Sequence, residues 1–186
     1  MKITNKHVLF FSYKDMFSNH YRSNRPFFLP RHELEGVKFY TGEHFMMYEK
    51  AVLFGDKEIA KKIVDTYHPQ EAKKLGRLVK GFNNEIWEER REEIIFSIVY
   101  TRIVYDQELR LAALGHRMDG RSFVEASPWD KIYGIGMKET DPAADDPANW
   151  RGLNLLGKAW DKATDSLAEK CGGYELMTKE RATWGM

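Results

Sequence analysis

The spacing of apolar residues changes along this chain and predicts short strands at two places. Residues 7–12 and 122–126 are short, continuous apolar runs, which are typical of strands inside a core. A third short strand is predicted at residues 37–40. Residues 15–34 contain Pro26 and Pro30 among many aromatic rings and predict an ordered loop.

Elsewhere the apolar period is helical and predicts helices at residues 42–54, 57–67, 69–79, 84–104, 106–114 and 154–167. Thr41 and Asp56 are suitable N-caps for the first two, and Pro69 suits the first position of the third. The helix at 84–104 is the longest and carries an amphipathic stripe, formed by Ile86, Trp87, Ile94, Ile95, Ile98, Val99 and Ile103. We therefore predict an α+β fold, mainly α-helical, with a few short strands.

The domain organisation predicted from the sequence is simple. A chain of 186 residues suits one domain with a single core, and no repeat or linker divides it. We predict one domain at residues 1–168 and a C-terminal tail of unknown role at 169–186. Residues 127–150 are rich in Gly, Pro and Asp and predict a long loop, which in a compact domain is usually functional or disordered.

Charge and cysteine content exclude several classes of function. With 29 basic and 28 acidic residues, the chain lacks the basic surplus that holds long nucleic acid, although a local phosphate pocket stays possible. The single cysteine, Cys171, cannot form an internal disulfide, and no Cys/His spacing resembles a zinc site. No apolar stretch approaches the roughly 20 residues of a membrane span. We predict a cytoplasmic protein with no membrane, metal or cofactor requirement.

The helix predicted at residues 42–54 carries the first candidate site. Glu43 and Lys50 lie seven positions apart and share a face, with Met47 between them. They form either a solvated ion pair or the two polar ends of a site. Glu49 points away from this face and is expected to be the more exposed acid.

A basic cluster and a tryptophan form the next candidates. Lys73, Lys74 and Arg77 lie on one side of a predicted helix, which is usually a solvated face. Gly76 costs that helix about 1 kcal/mol relative to Ala, so we expect another backbone or a ligand to approach it closely. Arg77 would then bind phosphate through its planar fork. Trp87 is either a core residue or a stacking platform.

The strand predicted at residues 122–126 ends in a carboxylate. Glu125 has no packing purpose there, and Asp130 follows it. Gly134 and Gly136 come next, and glycines allow backbone N–H groups to approach an anion. Asn154 either caps the last helix or orients a ligand from the N-terminus of that helix.

Taken in order, these segments resemble the NADAR family, the YbiA-like proteins. The resemblance covers roughly residues 15–160, and the order of the motifs makes it specific. Its motifs are Phe17-Ser18-Asn19, Glu43-His44 with Lys50-Ala51, Ala72-Lys73-Lys74-Leu75-Gly76-Arg77, Trp87 before Arg90 and Arg91, Glu125-Ala126-Ser127 through Gly134-Ile135-Gly136, and Trp150-Arg151-Gly152-Leu153-Asn154-Leu155-Leu156-Gly157.

The resemblance implies an α+β fold and N-glycosidase activity on riboflavin-pathway intermediates or on guanine-linked ADP-ribose. In both substrate classes ribose C1 is bonded to an exocyclic amino nitrogen of an aminopyrimidinone ring. The partner is thus a small nucleotide-like substrate or ADP-ribosylated guanine in nucleic acid, and no oligomeric state is predicted. Family positions that are catalytic or substrate-contacting match Glu43, Trp87 and Glu125, with Lys50 a further candidate.

For the mechanism we expect two acids, Glu43 and Glu125, to converge on the anomeric carbon. One would stabilise the sugar cation or activate water, and the other would protonate the departing base. Lys50 permits a second route through a Schiff base. A non-catalytic module that binds ADP-ribose or NAD is the alternative. The predicted substrate contacts are Trp87, Arg77, Asn19, Asp130, Gly134, Gly136 and Asn154.

Overall fold

Two strands near the N-terminus and one strand from the second half of the chain form one small sheet. The computed structural model describes residues 1–174. Strand β1 (Lys2–Ile3) pairs antiparallel with β2 (His7–Phe10), which pairs parallel with β3 (Ser122–Glu125). All four residues of the central strand β2 are buried, as its continuous apolar sequence predicts. The register places Phe10 opposite Glu125, so the acid lies at the C-terminal end of the sheet.

This sheet belongs to the first of two compact units, formed by residues 1–11 and the described residues from 107 onward. The unit also contains helices α6 (Gln107–Met118) and α7 (Leu155–Lys170). Helix α7 packs on β3, and the fully buried Trp160 places its ring centroid 5.7 Å from that of Phe123. Arg117 of α6 donates to both carboxylate oxygens of Asp165 on α7, at 3.0 and 2.8 Å, which joins the two helices.

The second unit, residues 12–106, is helical. Helix α2 packs against three others, α3, α4 and α5, and these contacts bury nearly its whole surface. Trp87, Ile95, Ile98 and Val99 of the predicted α5 stripe are buried. The helices of this unit are α1 (Pro30–Leu34), α2 (Gly42–Leu53), α3 (Lys57–Asp65), α4 (Pro69–Gly76) and α5 (Asn84–Tyr105).

The predicted N-caps start the helices of this unit. The Thr41 hydroxyl accepts from the backbone N–H of His44, and an Asp56 carboxylate oxygen accepts from that of Ile59 at 3.1 Å. Pro69 occupies the first turn of α4. Helix α4 ends at Gly76, earlier than the predicted end at residue 79.

The predicted strand at residues 37–40 and the predicted loop at residues 15–34 both differ from the structure. Residues 37–40 form no strand; a single antiparallel bridge joins Phe27 to Phe39. The predicted loop at 15–34 contains α1, which begins at Pro30. Sequence periodicity detects neither, because one bridge and one short helix are shorter than the window over which a period is recognisable.

The long segment at residues 127–150 is anchored rather than loose. It contains two 3₁₀ helices, Pro142–Asp145 and Pro147–Asn149, and the side chains of Asp141 and Asp146 cap them. Its apolar residues join the core of the first unit, a cluster of Leu9, Val124, Ala126, Ile135, Met137 and Ala144.

No linker marks the division between the two units, because α5 ends at Tyr105 and α6 begins at Gln107. The tail predicted at 169–186 begins inside α7, and residues 175–186 lie outside the described part of the chain. None of the helices within residues 1–174 is long and apolar enough to span a membrane.

Candidate active site

Glu43 lies in the first turn of α2 and is only 5% exposed. Its backbone N–H donates to the carbonyl of Asn19 at 3.0 Å. A Cβ on Gly42 would overlap the Asn19 side-chain oxygen, so glycine at this position lets Asn19 lie against the start of the helix. Because a helix N-terminus favours negative charge, the first turn of α2 is a suitable position for a carboxylate.

His20 stands beside this carboxylate and was not identified from the sequence. Its Nε2 lies 3.7 Å from Oε2 of Glu43, longer than a hydrogen bond. Burial, and then the charges of Lys73 and His44, lower the pKa of His20 to about 4. The imidazole is therefore neutral at pH 7. Its position directly after Phe17-Ser18-Asn19 was the signal that could have identified it.

The neutral state of His20 predicts a pH-dependent stability. Between pH 6.5 and pH 4, His20 is protonated in the unfolded chain but stays neutral in the folded protein. The free energy of unfolding therefore falls as the pH falls. The contribution of His20 is on the order of 2–3 kcal/mol at pH 4, with its side chain 28% exposed. Urea unfolding should be measured from pH 4 to pH 7 for the wild type and for His20→Gln. The free energy of unfolding of His20→Gln should fall less on acidification than that of the wild type, by the contribution of His20.

The exposed His68 provides the matched control for this measurement. His68→Gln should keep most of the wild-type dependence on pH, because it leaves His20 in place and removes only a small contribution to the lowered pKa of His44. An identical pH dependence in His20→Gln and wild type would contradict the assignment.

Lys50 lies two turns after Glu43 and contacts an aromatic pair. Its Nζ donates to the carbonyl of Gly76 at 2.9 Å and lies 4.1 Å from the Phe82 ring centroid and 5.7 Å from that of Trp87. Burial, and then the positive charge of Arg77, lower the pKa of Lys50. These contacts contradict a solvated ion pair with the buried Glu43. Phe82 is a second residue that sequence reasoning missed.

The close approach expected at Gly76 is made by a side chain. A Cβ on Gly76 would overlap the Sδ of Met47 and lie 2.8 Å from its Cγ. The expectation that a backbone or ligand approaches there is therefore wrong. Because α4 ends at Gly76, Arg77 is the C-cap residue; it is exposed and influences Lys50 through its charge.

Glu49 was expected to be the more exposed acid, but it is nearly as buried as Glu43, which is 5% exposed. Glu49 is 7% exposed, and its carboxylate accepts hydrogen bonds from Arg31 and from Nε2 of His32, the latter at 2.6 Å. The Leu29 N–H donates to Nδ1 of His32, so the ring proton is on Nε2 and points at Glu49. Burial raises the pKa of Glu49, but these hydrogen bonds outweigh it and leave the pKa lowered.

In the first unit, Asn154 fixes the strand that ends in Glu125. Its side-chain oxygen accepts from the Glu125 N–H, and its amide donates to the Phe123 carbonyl, each at 3.0 Å. Asn154 is 3% exposed and has a left-handed backbone, φ 54°, which Asn tolerates better than most residues. Its side chain makes no capping bond to α7. Asn154 is thus the N-cap residue of α7 by position, as predicted, but its side chain binds strand β3 instead of capping the helix.

The turn after Glu125 is held by its own hydrogen bonds. The Asp130 side chain accepts from the N–H groups of Ile132 and Tyr133, both at 2.8 Å. The N–H of residue 135 donates to the backbone carbonyl of Glu125, and the N–H of Gly136 donates to the backbone carbonyl of Asp130. A Cβ on Gly134 would lie 2.8 Å from the Glu125 carbonyl, which explains that glycine by packing. Substrate binding by Asp130, Gly134 and Gly136 stays a prediction.

The predicted site residues thus form two groups. The convergence of Glu43 and Glu125 on one substrate stays a prediction. The group in the second unit consists of Asn19, Glu43, Lys50, Arg77 and Trp87, and the group in the first unit consists of Glu125, Asp130, Gly134, Gly136 and Asn154.

Comparison with known proteins extends these observations. The model of the NADAR domain family matches residues 9–168. Protein irg-1 of Caenorhabditis elegans is 33% identical over 169 residues, which cover 86% of this chain and 79% of that protein. N-glycosidase R617 of Acanthamoeba polyphaga mimivirus is 38% identical over 125 residues, 67% of this chain and 72% of that protein. The NMR structure of E. coli YbiA has a similar fold, with a TM-score of 0.67, 22% identity and coverage of 91% and 89%.

Proposed function

This chain belongs to the NADAR family, and we propose that it hydrolyses the bond between ribose C1 and an exocyclic amine of an aminopyrimidinone or guanine base. The family and the relative named N-glycosidase make the enzyme an N-glycosidase-type hydrolase. Ribose would carry a 5-phosphate or be part of ADP-ribose. No step of this hydrolysis needs a metal ion or a cofactor.

The observation that carries the proposal is the arrangement along one face of α2. Glu43 is buried at the helix N-terminus, and Lys50 lies about 10 Å further along the axis. The Phe82 and Trp87 rings flank Lys50. This spacing suits a sugar at the carboxylate and a planar base at the Phe82 ring, which is 43% exposed, since aromatic rings stack on bases. Trp87 is only 9% exposed, so stacking of a base on its ring stays a prediction.

We assign one of the two chemical roles to each acid. When the C1–N bond breaks, its electron pair goes to the base nitrogen and positive charge develops on the sugar. Ionised Glu43 would stabilise that charge and accept a proton from the water whose oxygen bonds to C1. Glu125 would donate the proton that the departing nitrogen requires. The buried side-chain oxygen of Asn19, which has no hydrogen-bond partner within residues 1–174, would accept from a ribose hydroxyl.

A two-substrate assay tests the proposal. Purified enzyme is incubated with ADP-ribosylated guanine and, separately, with a ribosylaminopyrimidine phosphate, and free base is measured by chromatography. We expect release from at least one of them. Release from neither, together with tight binding of ADP-ribose, would identify a non-catalytic binding module instead.

The role of Lys50 is tested by chemical trapping. In the alternative route the glycosylamine opens to an imine, the Lys50 amine replaces the base nitrogen on C1, and water later frees the sugar. The lowered pKa of Lys50 favours its nucleophilic neutral form. We propose direct hydrolysis and expect borohydride, added during turnover, to leave the mass of Lys50 unchanged. A reduced sugar adduct on Lys50, absent from Lys50→Met, would overturn direct hydrolysis.

A further inference from the structure

Arg22 is held between two tyrosine rings. Its guanidinium carbon lies 4.4 Å from the ring centroid of Tyr40 and 4.4 Å from that of Tyr67. These two cation–π contacts restrain the guanidinium. Within residues 1–174 none of its five N–H donors makes a hydrogen bond to another residue. The arginine is therefore pre-organised for a ligand that accepts hydrogen bonds at its edge.

Arg22 forms no ion pair within the described part of the chain. Within residues 1–174, no carboxylate lies within ion-pair distance of this guanidinium, and no hydrogen bond from it to another described residue is present. The positive charges of Arg22 and Lys73 contribute to the lowered pKa values of His44 and His20 respectively. An arginine that is immobilised without an anionic partner is suited to binding an anion from solution.

Arg22 lines a cleft of about 640 Å³ in the second unit, here called the Arg22 cleft. None of the described residues that line it is acidic. Tyr13 and Tyr67 are 66% and 64% exposed, so their rings are accessible to a planar ligand. The residues that give the cleft its chemistry are Tyr13, Lys14, His20, Arg22, Tyr67 and His68.

We infer that the Arg22 cleft binds a nucleoside 5′-phosphate, with the phosphate on Arg22 and Lys14 and the base on Tyr13. The planar fork of Arg22 matches two phosphate oxygens, and an exposed tyrosine ring provides a stacking surface. His20 lines the cleft and also lies 3.7 Å from Glu43. Resting on the proposed function, we assign this nucleotide to the part of the substrate beyond the reacting ribose.

Calorimetric titration with AMP, adenosine and inorganic phosphate tests the binding directly. AMP should bind more tightly than either fragment. Arg22→Gln should weaken AMP binding about tenfold or more, because a charge-assisted bond to phosphate is lost, and should leave adenosine binding unchanged. Arg22→Lys should also weaken AMP binding, since a lysine keeps the charge but lacks the planar fork. Tyr13→Ala should weaken AMP and adenosine alike.

Arg25→Gln is the matched control, because Arg25 is an exposed arginine three positions away that does not line the cleft. It should bind AMP as the wild type does, and all variants should share its Tm. Equal AMP affinity in Arg22→Gln and wild type would overturn the inference. So would an Arg22-dependent preference for a single-stranded oligonucleotide over AMP.

The outcome is separable from that of the proposed function. With a nucleotide-bearing substrate, Arg22→Gln should raise KM while largely keeping kcat, because Arg22 would bind a phosphate that does not react and would do so equally in the ground state and the transition state. Arg22-dependent AMP binding without release of base from any substrate would refute the proposed function and support nucleotide binding in the Arg22 cleft. Release of base without any AMP binding would support the proposed function and refute nucleotide binding in the cleft.

Discussion

Replacement of Glu43 by Gln is expected to lower kcat for base release by about 10²–10⁴-fold, the usual contribution of a catalytic acid or base. Gln has nearly the same shape as Glu and keeps the backbone hydrogen bond to Asn19, but it can neither accept the proton of water nor neutralise the sugar cation. The measurement is single-turnover release of free base, followed by chromatography. Thermal unfolding should show that the variant stays folded.

Glu85→Gln is the matched control for Glu43→Gln. Glu85 also lies in the first turn of a helix of the second unit, but it is exposed. This control therefore loses the same favourable interaction with the helix dipole without losing a buried carboxylate. It should turn over at the wild-type rate. Full activity in Glu43→Gln would remove Glu43 from the mechanism.

Glu125→Gln is expected to lower kcat for base release by the same factor of about 10²–10⁴, because Gln cannot donate a proton to the departing base. Gln keeps the N–H that donates to Asn154, so strand β3 should stay in place. The decrease in kcat should be smaller for a substrate with a good leaving group than for one with a poor leaving group, because a base that departs easily needs protonation least. Equal decreases for the two substrates would contradict the role of Glu125 as proton donor.

Replacement of Gly157 by Ala is expected to lower the free energy of unfolding by about 3 kcal/mol, at the upper end of overpacking costs. A Cβ at this position in α7 would overlap the carbonyl oxygen of Phe123 and the side-chain amide of Asn154. Neither can move easily, because the two groups are hydrogen-bonded to each other. Urea unfolding measures the loss, and base release should fall with it, since Asn154 also binds the Glu125 N–H.

Gly115→Ala separates this clash from the general effect of alanine in a helix. Gly115 lies inside α6, and a Cβ there would meet no atom within 4 Å. This substitution should raise the free energy of unfolding by roughly 0.5–1 kcal/mol, because Ala restricts the unfolded chain more than Gly does. Stabilisation by both substitutions would show that α7 can move away from β3 at little cost.

The candidate site was accessible from sequence only where its residues are close along the chain. Glu43 and Lys50 share a helix face by periodicity alone, and Thr41 marks the start of that helix by its capping chemistry. Phe82 and His20 approach these residues from other segments, and no period within one element encodes such contacts. Arg22 was missed for the same reason, since its two tyrosines lie at positions 40 and 67.

Burial was the property that sequence reasoning judged least well. Glu49 was expected on an exposed face, yet the buried His32 and the adjacent Arg31 approach it from α1. A carboxylate becomes tolerable in the interior only when another element supplies hydrogen bonds and a positive charge. The apolar period of α2 shows which of its residues share a face. It does not show which residues of other elements pack against that face, because only the tertiary structure brings them there.

By itself, the sequence determined the mainly helical α+β class, the caps at Thr41 and Asp56, the buried strand at 7–10 and the acid at the end of β3. Each depends on local propensity or on a short apolar period, which act between residues near in sequence. The tertiary structure alone decided that Asn154 binds β3, that Met47 fills the space at Gly76 and that His20 stands beside Glu43. These depend on packing between distant segments, where volume and hydrogen-bond geometry select the partner.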